Sequence, residues 1–199
     1  ALDSGINFID TADVYSAGES EVITGKALAG VRRDSVILAT KCHFPITGLM
    51  ADAKPEPNTF GNSRRHIIRA CEDSLRRLNT DWIDLYQLHR PDPTVALDEQ
   101  LDAMNDLVKQ GKIRYSGFSD HPAWVCVQAM YESVFRGWTQ PIAIQIEYSL
   151  LQRTVEYDLM PMARKCGFGV TPWSPLRGGV LTGKFTRENR PKDDGSTRV

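Results

Sequence analysis

Short apolar runs recur along the chain, and each of them ends in or runs into a polar or amphipathic residue. The runs cover residues 6–9, 36–40, 85–88, 113–118, 142–146 and 168–172. Short, mainly apolar runs of this length are typical of strands buried in a parallel sheet. Segments with helical periodicity separate most of them, so the pattern predicts repeated strand–helix units.

Amphipathic periodicity places the predicted helices at residues 20–28, 63–78, 97–110 and 155–166, with a further helix beginning near Pro122. The segment 63–78 has the strongest pattern. Ile67, Cys71 and Leu75 fall on one of its faces, and arginines and acids lie opposite. A helix of this kind buries its apolar face against a sheet.

The residues that follow the apolar runs carry the candidate chemistry. In a closed parallel barrel, the carboxyl ends of all strands meet at one rim, where active sites are built. We therefore expect one shared pocket to be formed by residues that lie far apart in sequence: Asp10, Lys41, His89, Asp120, Gln145 and Trp173.

The number of apparent strands suggests a partial barrel. A closed barrel of this type has eight strands, whereas six apolar runs are visible. The chain starts without Met, and residues 186–199 are polar and begin no further element. We expect residues 1–199 to form a single barrel domain that is truncated at both ends.

Composition excludes several classes of function. The chain has 199 residues, of which 41% are hydrophobic, and a formal net charge of −1. Near-neutral charge gives no electrostatic case for binding nucleic acid or an anionic membrane, and no apolar run approaches the ~20 residues needed to span a bilayer. Cys42, Cys71, Cys126 and Cys166 have no metal-binding spacing, so we expect reduced thiols, no metal site and a cytoplasmic protein.

Asp10, Tyr15, Lys41 and His89 could together form a proton donor. A phenol has a pKa near ~10 in water and donates poorly at neutral pH. An ammonium beside the Tyr15 oxygen would lower that pKa, and a carboxylate partner would hold the ammonium in place. His89 could then donate to the same substrate oxygen. Taken singly, each residue also has an ordinary structural explanation, and their equivalent positions on consecutive strands favour the functional one.

Three sequence blocks resemble the aldo-keto reductase family. They are Gly5-Ile-Asn-Phe-Ile-Asp-Thr-Ala-Asp-Val-Tyr15, Ala39-Thr-Lys41 and Asp84-Leu-Tyr-Gln-Leu-His89-Arg-Pro-Asp92. The resemblance implies an α/β fold, a (β/α)8 TIM barrel with about six of its eight strands in this chain. It also implies reversible reduction of a small aldehyde or ketone to an alcohol. Hydride would come from a nicotinamide cofactor, NADPH more than NADH, with Tyr15 as proton donor.

The same resemblance implies a set of cofactor-binding residues. Ser119 and Asp120 fall where the family commonly has Ser-Asn at the nicotinamide carboxamide, and Gln145 falls at a second carboxamide contact. Asp120 departs from the pattern, because a carboxylate accepts from the amide nitrogen and cannot donate to the amide oxygen. Trp173 replaces the usual Tyr that stacks on the ring. The loop over the pyrophosphate would contain Ser174, Leu176, Gly178 and Gly179.

Other interpretations remain open at this stage. The chain resembles, in fold and tetrad, the potassium-channel β subunits, which are cofactor-binding regulatory proteins. A lyase that forms a Schiff base through Lys41 is a third possibility, which a neighbouring Asp10 would disfavour. The substrate pocket would be lined by the loop 42–62 and by side chains near Trp82 or Trp124, and the oligomeric state is left open.

Overall fold

The computed structural model describes residues 1–47 and 56–186, in which strands and helices alternate. The strands are β1 (Phe8–Asp10), β2 (Ile37–Cys42), β3 (Ile83–Leu88), β4 (Ile113–Ser119), β5 (Ala143–Glu147) and β6 (Gly169–Trp173). The α-helices are α1 (Glu19–Leu28), α2 (Arg64–Leu78), α3 (Leu97–Lys109), α4 (Ala123–Arg136) and α5 (Leu159–Cys166). Short 3₁₀-helices cover Leu2–Ser4, Tyr15–Gly18, Arg33–Ser35, Thr154–Glu156 and Arg177–Thr182.

The strands form one parallel sheet in the order β1 to β6, so that each strand pairs with the next one along the chain. This consecutive order, with a helix in each connection from β1 to β6, is the arrangement of a (β/α)8 barrel. The predicted fold class is confirmed, with six strands of the barrel in the described residues.

The core lies between the sheet and its helices. Ile67, Cys71 and Leu78 of α2 pack in one cluster with buried residues of the sheet, including Leu38 and Tyr86. The Ser63 hydroxyl accepts a hydrogen bond from the backbone N–H of His66 at 3.3 Å and caps this helix. The strong amphipathic pattern of segment 63–78 therefore corresponds to a capped helix with a buried face.

One predicted helix begins later than the sequence pattern indicated. The helix predicted over 155–166 begins only at Leu159, since Pro161 is tolerated in a first turn and not in a helix interior. In the predicted loop 42–62, residues 48–55 lie outside the described part of the chain.

Within the described residues, no helix is long and apolar enough to cross a membrane.

An ion pair ties β2 to β3 at the amino-terminal end of the sheet. An Arg33 guanidinium nitrogen lies 2.6 Å from Asp84 Oδ2, and the same oxygen accepts from the backbone N–H of Leu38 at 2.9 Å. Arg33 also donates to Thr80 Oγ1 at 3.1 Å and stacks over the Trp82 ring, 4.5 Å from its centroid. In barrels of this type the amino-terminal face contributes to stability and not to chemistry.

Replacing Asp84 with Ala should lower the free energy of unfolding by about 2 kcal/mol, because a partly buried guanidinium and a backbone N–H lose their acceptor. Urea denaturation followed by circular dichroism measures the change. Arg76→Ala is the matched control, since that side chain is 68% exposed in its ion pair with Asp73 and exposed pairs contribute little. Equal midpoints for Asp84→Ala and the parent protein would show that the pair does not stabilise the fold.

Candidate active site

A cavity of about 200 Å³ opens where the carboxyl ends of the strands meet. Among the described residues it is lined by Tyr15, His89, Arg90, Ser119, Asp120, Gln145 and Trp173. All of these except Arg90 were singled out from the sequence. The fold therefore gathers six predicted site residues around one space, although they come from five separate strand–helix units.

Lys41 and Asp10 form an ion pair at the ends of β2 and β1. Lys41 Nζ donates to Asp10 Oδ2 at 2.6 Å and to the Thr11 carbonyl oxygen at 2.8 Å. The Lys41 side chain is fully buried. Burial lowers the pKa of Lys41, while the Asp10 carboxylate acts in the opposite direction. An ammonium held between two acceptors is not a free amine, which argues against a Schiff-base mechanism.

Tyr15 lies in the cavity wall near this ammonium. Lys41 Nζ is 5.2 Å from the centroid of the Tyr15 ring, and Tyr15 as a whole remains 41% exposed. The sequence predicted a lowered pKa for Tyr15, whereas the net shift of this pKa is upward. The pKa of Tyr15 is raised, first by burial and then by the carboxylates of Asp10, Asp120 and Asp13. Tyr15 therefore stays protonated at neutral pH, which is the form that a proton donor requires.

His89 follows β3 and packs edge-on against two aromatic rings. Its ring centroid lies 5.7 Å from that of Tyr15 and 5.1 Å from that of Phe44. The backbone N–H of His89 donates to the Cys42 carbonyl at 2.9 Å, which fixes this residue to the end of β2. Burial, and then the positive charge of Lys41, lowers the pKa of His89 to about 3. The imidazole is therefore neutral and has one N–H to donate.

The other wall of the cavity is built by Trp173, Asp120 and Arg90. Trp173 Nε1 donates to Asp120 Oδ1 at 2.9 Å, and an Arg90 nitrogen lies 3.1 Å from Asp120 Oδ2. Arg90 was missed from the sequence as a site residue. Its position in the sequence could have identified it, because a residue directly after His89 lies at the same rim.

Ser119 and Gln145 are neighbours in register on β4 and β5. The Gln145 amide makes only a long contact to Thr171 Oγ1, at 3.5 Å, so its hydrogen-bonding capacity is largely unused. A flat indole beside a serine hydroxyl and a free amide suits an aromatic ring that carries a carboxamide. The residues present therefore fit a nicotinamide group.

The predicted phosphate loop lies next to this cavity and does not line it. Ser174, Leu176 and Gly178 follow β6, and Ser174 and Gly178 have φ angles of 55° and 60°. Arg177 forms an ion pair with Glu147 at the end of β5, which ties the loop to the rim. Positive φ angles turn the backbone tightly here, an arrangement that can present N–H groups to an anion.

Comparison with known proteins agrees with this fold. The sequence model of the aldo/keto reductase family matches residues 1–199. The chain is 43% identical to the uncharacterized oxidoreductase YrpG of Bacillus subtilis (strain 168) over 196 residues, which cover 95% of the chain and 59% of that relative.

Two other relatives come from the fission yeast Schizosaccharomyces pombe. A putative aryl-alcohol dehydrogenase is 38% identical over 218 aligned residues, covering 100% of the chain and 62% of the relative. A putative voltage-gated potassium channel subunit beta is 39% identical over 188 residues, covering 93% and 53%. The chain thus spans 53–62% of the length of these three relatives.

Buried histidines should make the protein less stable in mild acid. The pKa values of His66, His89 and His121 are lowered to about 4, 3 and 4 by burial. In the unfolded chain they titrate near ~6.5, so between that pH and about 4 the unfolded state binds more protons, and stability falls as pH falls. We expect the free energy of unfolding to drop by at least about 1 kcal/mol from pH 7 to pH 5, measured by urea denaturation.

Asp13 supplies the matched variant for this pH dependence. Burial, followed by the Glu21 carboxylate, raises the pKa of Asp13 to about 8, so in the folded state this group keeps a proton that the unfolded chain releases. Its contribution opposes that of the histidines, and Asp13→Asn should therefore steepen the loss of stability between pH 7 and pH 5. Stability that is constant over this range in both proteins would contradict neutral buried histidines.

Proposed function

The chain belongs to the aldo/keto reductase family, and we propose that the protein reduces an aldehyde or ketone to an alcohol with a nicotinamide cofactor. One observation carries the proposal. Tyr15, His89 and Trp173 line a single cavity, and the buried Lys41 ammonium lies beside the phenol. A proton donor and a flat ring-binding surface thus share the space where a carbonyl group would react.

The chain's own residues manage the proton and the developing negative charge. The cofactor, when bound, supplies the hydride that reduces the carbonyl carbon. Tyr15 donates a proton to the carbonyl oxygen, and the nearby Lys41 charge stabilises the resulting phenolate. Asp10 holds the ammonium in place. The neutral His89 imidazole donates a hydrogen bond to the same oxygen and so favours the build-up of charge on it.

Three side chains would hold the nicotinamide ring. The Trp173 indole offers a flat surface for stacking, while Ser119 and Gln145 have side chains suited to the carboxamide. The loop with Ser174, Leu176 and Gly178 would lie near the phosphates. NADPH is proposed over NADH, in line with the resemblance of the tetrad blocks to the family.

A cytoplasmic location and a small carbonyl substrate complete the proposal. Cys42, Cys71, Cys126 and Cys166 are all free thiols. Free thiols persist in reducing compartments, which supports this location.

A regulatory role is the second candidate, supported by the similarity to a relative named as a potassium channel subunit beta. Such a subunit would bind the cofactor with the same residues and turn over slowly or not at all. Tight cofactor binding without measurable carbonyl reduction, together with a membrane protein recovered in pull-down experiments, would favour this candidate over the enzyme.

Tyr15→Phe in the full-length protein should lower turnover by at least ~10²-fold, because phenylalanine keeps the ring and removes the donated proton. The rate is followed as NADPH oxidation in the presence of a panel of aldehydes and ketones. Tyr157→Phe is the control, since that ring is 89% exposed and outside the cavity. Near-normal reduction by Tyr15→Phe would refute the assigned proton donor.

Trp173 should report cofactor binding through its own fluorescence. Stacking of the nicotinamide ring should quench the indole, so titration of the full-length protein with NADPH should give a saturable loss of tryptophan emission. We expect a higher Kd for NADH than for NADPH, and the loss of most of the quenching in Trp173→Phe. Quenching that is undiminished in Trp173→Phe would place the cofactor elsewhere.

A further inference from the structure

Asp120 connects three strand ends at the mouth of the candidate site. It follows β4, and its carboxylate is bonded to Trp173 at the end of β6 and to Arg90 just after β3. Its backbone N–H donates to the carbonyl of Gln145 on β5 at 2.9 Å. One residue therefore links the ends of β3, β4 and β6 and is also bonded to the middle of β5.

The backbone conformation of Asp120 directs its side chain across the rim. Its φ angle is 52°, in the left-handed region that most residues with a side chain avoid and that Asp and Asn tolerate. The chain turns sharply here, and both carboxylate oxygens are in use. Oδ1 accepts from the Trp173 indole, and Oδ2 pairs with the Arg90 guanidinium.

We infer that Asp120 is a positioning residue, which fixes the Trp173 ring and Arg90 across the cavity and is not itself a ligand of the cofactor carboxamide. The carboxamide contacts then fall to Ser119 and Gln145. This assignment differs from the one implied by the family resemblance, which placed Asp120 at the carboxamide. The statement about the cofactor carboxamide rests on the proposed function, whereas the statement that Asp120 fixes Trp173 and Arg90 does not.

The strength of the two contacts supports this role. Hydrogen bonds to an ionised acceptor are shorter and stronger than those between neutral groups. The 2.9 Å contact therefore holds the indole nitrogen firmly, and it fixes which face of the ring meets the cavity. Loss of the carboxylate would leave the indole N–H and the half-exposed Arg90 guanidinium without their common acceptor.

The first experiment measures Trp173 in the full-length protein without cofactor. Asp120→Gly removes the side chain and suits the left-handed backbone, so it should shift the Trp173 emission to longer wavelength and raise its quenching by acrylamide. Asp120→Asn should have a smaller effect, because its amide oxygen still accepts from the indole. In a Trp173→Phe background, Asp120→Gly should leave the remaining emission unchanged.

A matched control removes a different ion pair. Glu72→Gln removes the carboxylate charge from the 2.7 Å ion pair with Lys112. This pair involves no residue that lines the cavity, so the variant should leave Trp173 emission unaltered. Unchanged Trp173 emission in Asp120→Gly would overturn the inference, as would equal effects of Asp120→Gly and Glu72→Gln.

The second experiment separates positioning from direct cofactor binding. In 3-acetylpyridine analogues of the cofactor, a methyl group replaces the amide nitrogen. If Asp120 acts only through Trp173, Asp120→Gly should weaken the binding of NADPH and of its acetylpyridine analogue by the same factor, about tenfold. A loss that is much larger for NADPH than for the analogue would identify Asp120 as an amide ligand and overturn the inference.

The two experiments also distinguish this inference from the proposed function. A parent protein that binds neither NADPH nor the analogue would contradict the proposed function. The cofactor-free fluorescence of Asp120→Gly would still decide whether Asp120 positions Trp173.

Discussion

The ion pair between Lys41 and Asp10 is the interaction on which the candidate site depends. A charge removed from water carries a large cost, which is offset only by close, well-directed partners. Lys41 has two, at 2.6 Å and 2.8 Å, both supplied by the end of β1 and the residue after it. The pairing of β1 with β2 thus places a positive charge beside the Tyr15 ring. Buried ion pairs are often no more stabilising than well-packed apolar residues, so this pair points to a role in the chemistry of the site.

Burial, together with the charges around this ammonium, shifts the pKa values of the two donors in opposite directions. Burial lowers the pKa of His89, and the positive charge of Lys41 lowers it further. Burial raises the pKa of Tyr15, and the surrounding carboxylates add to the effect. The result at neutral pH is a neutral imidazole beside a protonated phenol, two groups that can both donate to one oxygen.

Much of this arrangement follows from the sequence, because strand ends can be read from apolar runs and parallel strands bring those ends together. Asp10, Lys41 and His89 were located in this way. The contacts of Asp120 with Arg90 and Trp173 were not predicted from the sequence. They depend on the register across three strand ends and on the left-handed backbone conformation of Asp120. The direction of the pKa shift of Tyr15 was also missed, because the shift combines the effect of burial with those of several carboxylates from other parts of the chain. By contrast, Pro161 could have indicated where α5 begins.

The two ends of the sheet use the same chemical motif for different purposes. At the amino-terminal end, Asp84 holds Arg33 at 2.6 Å, and its other oxygen lies 3.4 Å from Trp82 Nε1. At the carboxyl end, Asp120 holds Arg90 and Trp173 in the same way. Arg33 is only 19% exposed and is also bonded to backbone carbonyls, whereas Arg90 is 50% exposed and faces the cavity. The contacts around Asp84 therefore join strands, whereas those around Asp120 leave an indole face and a cation available to a ligand.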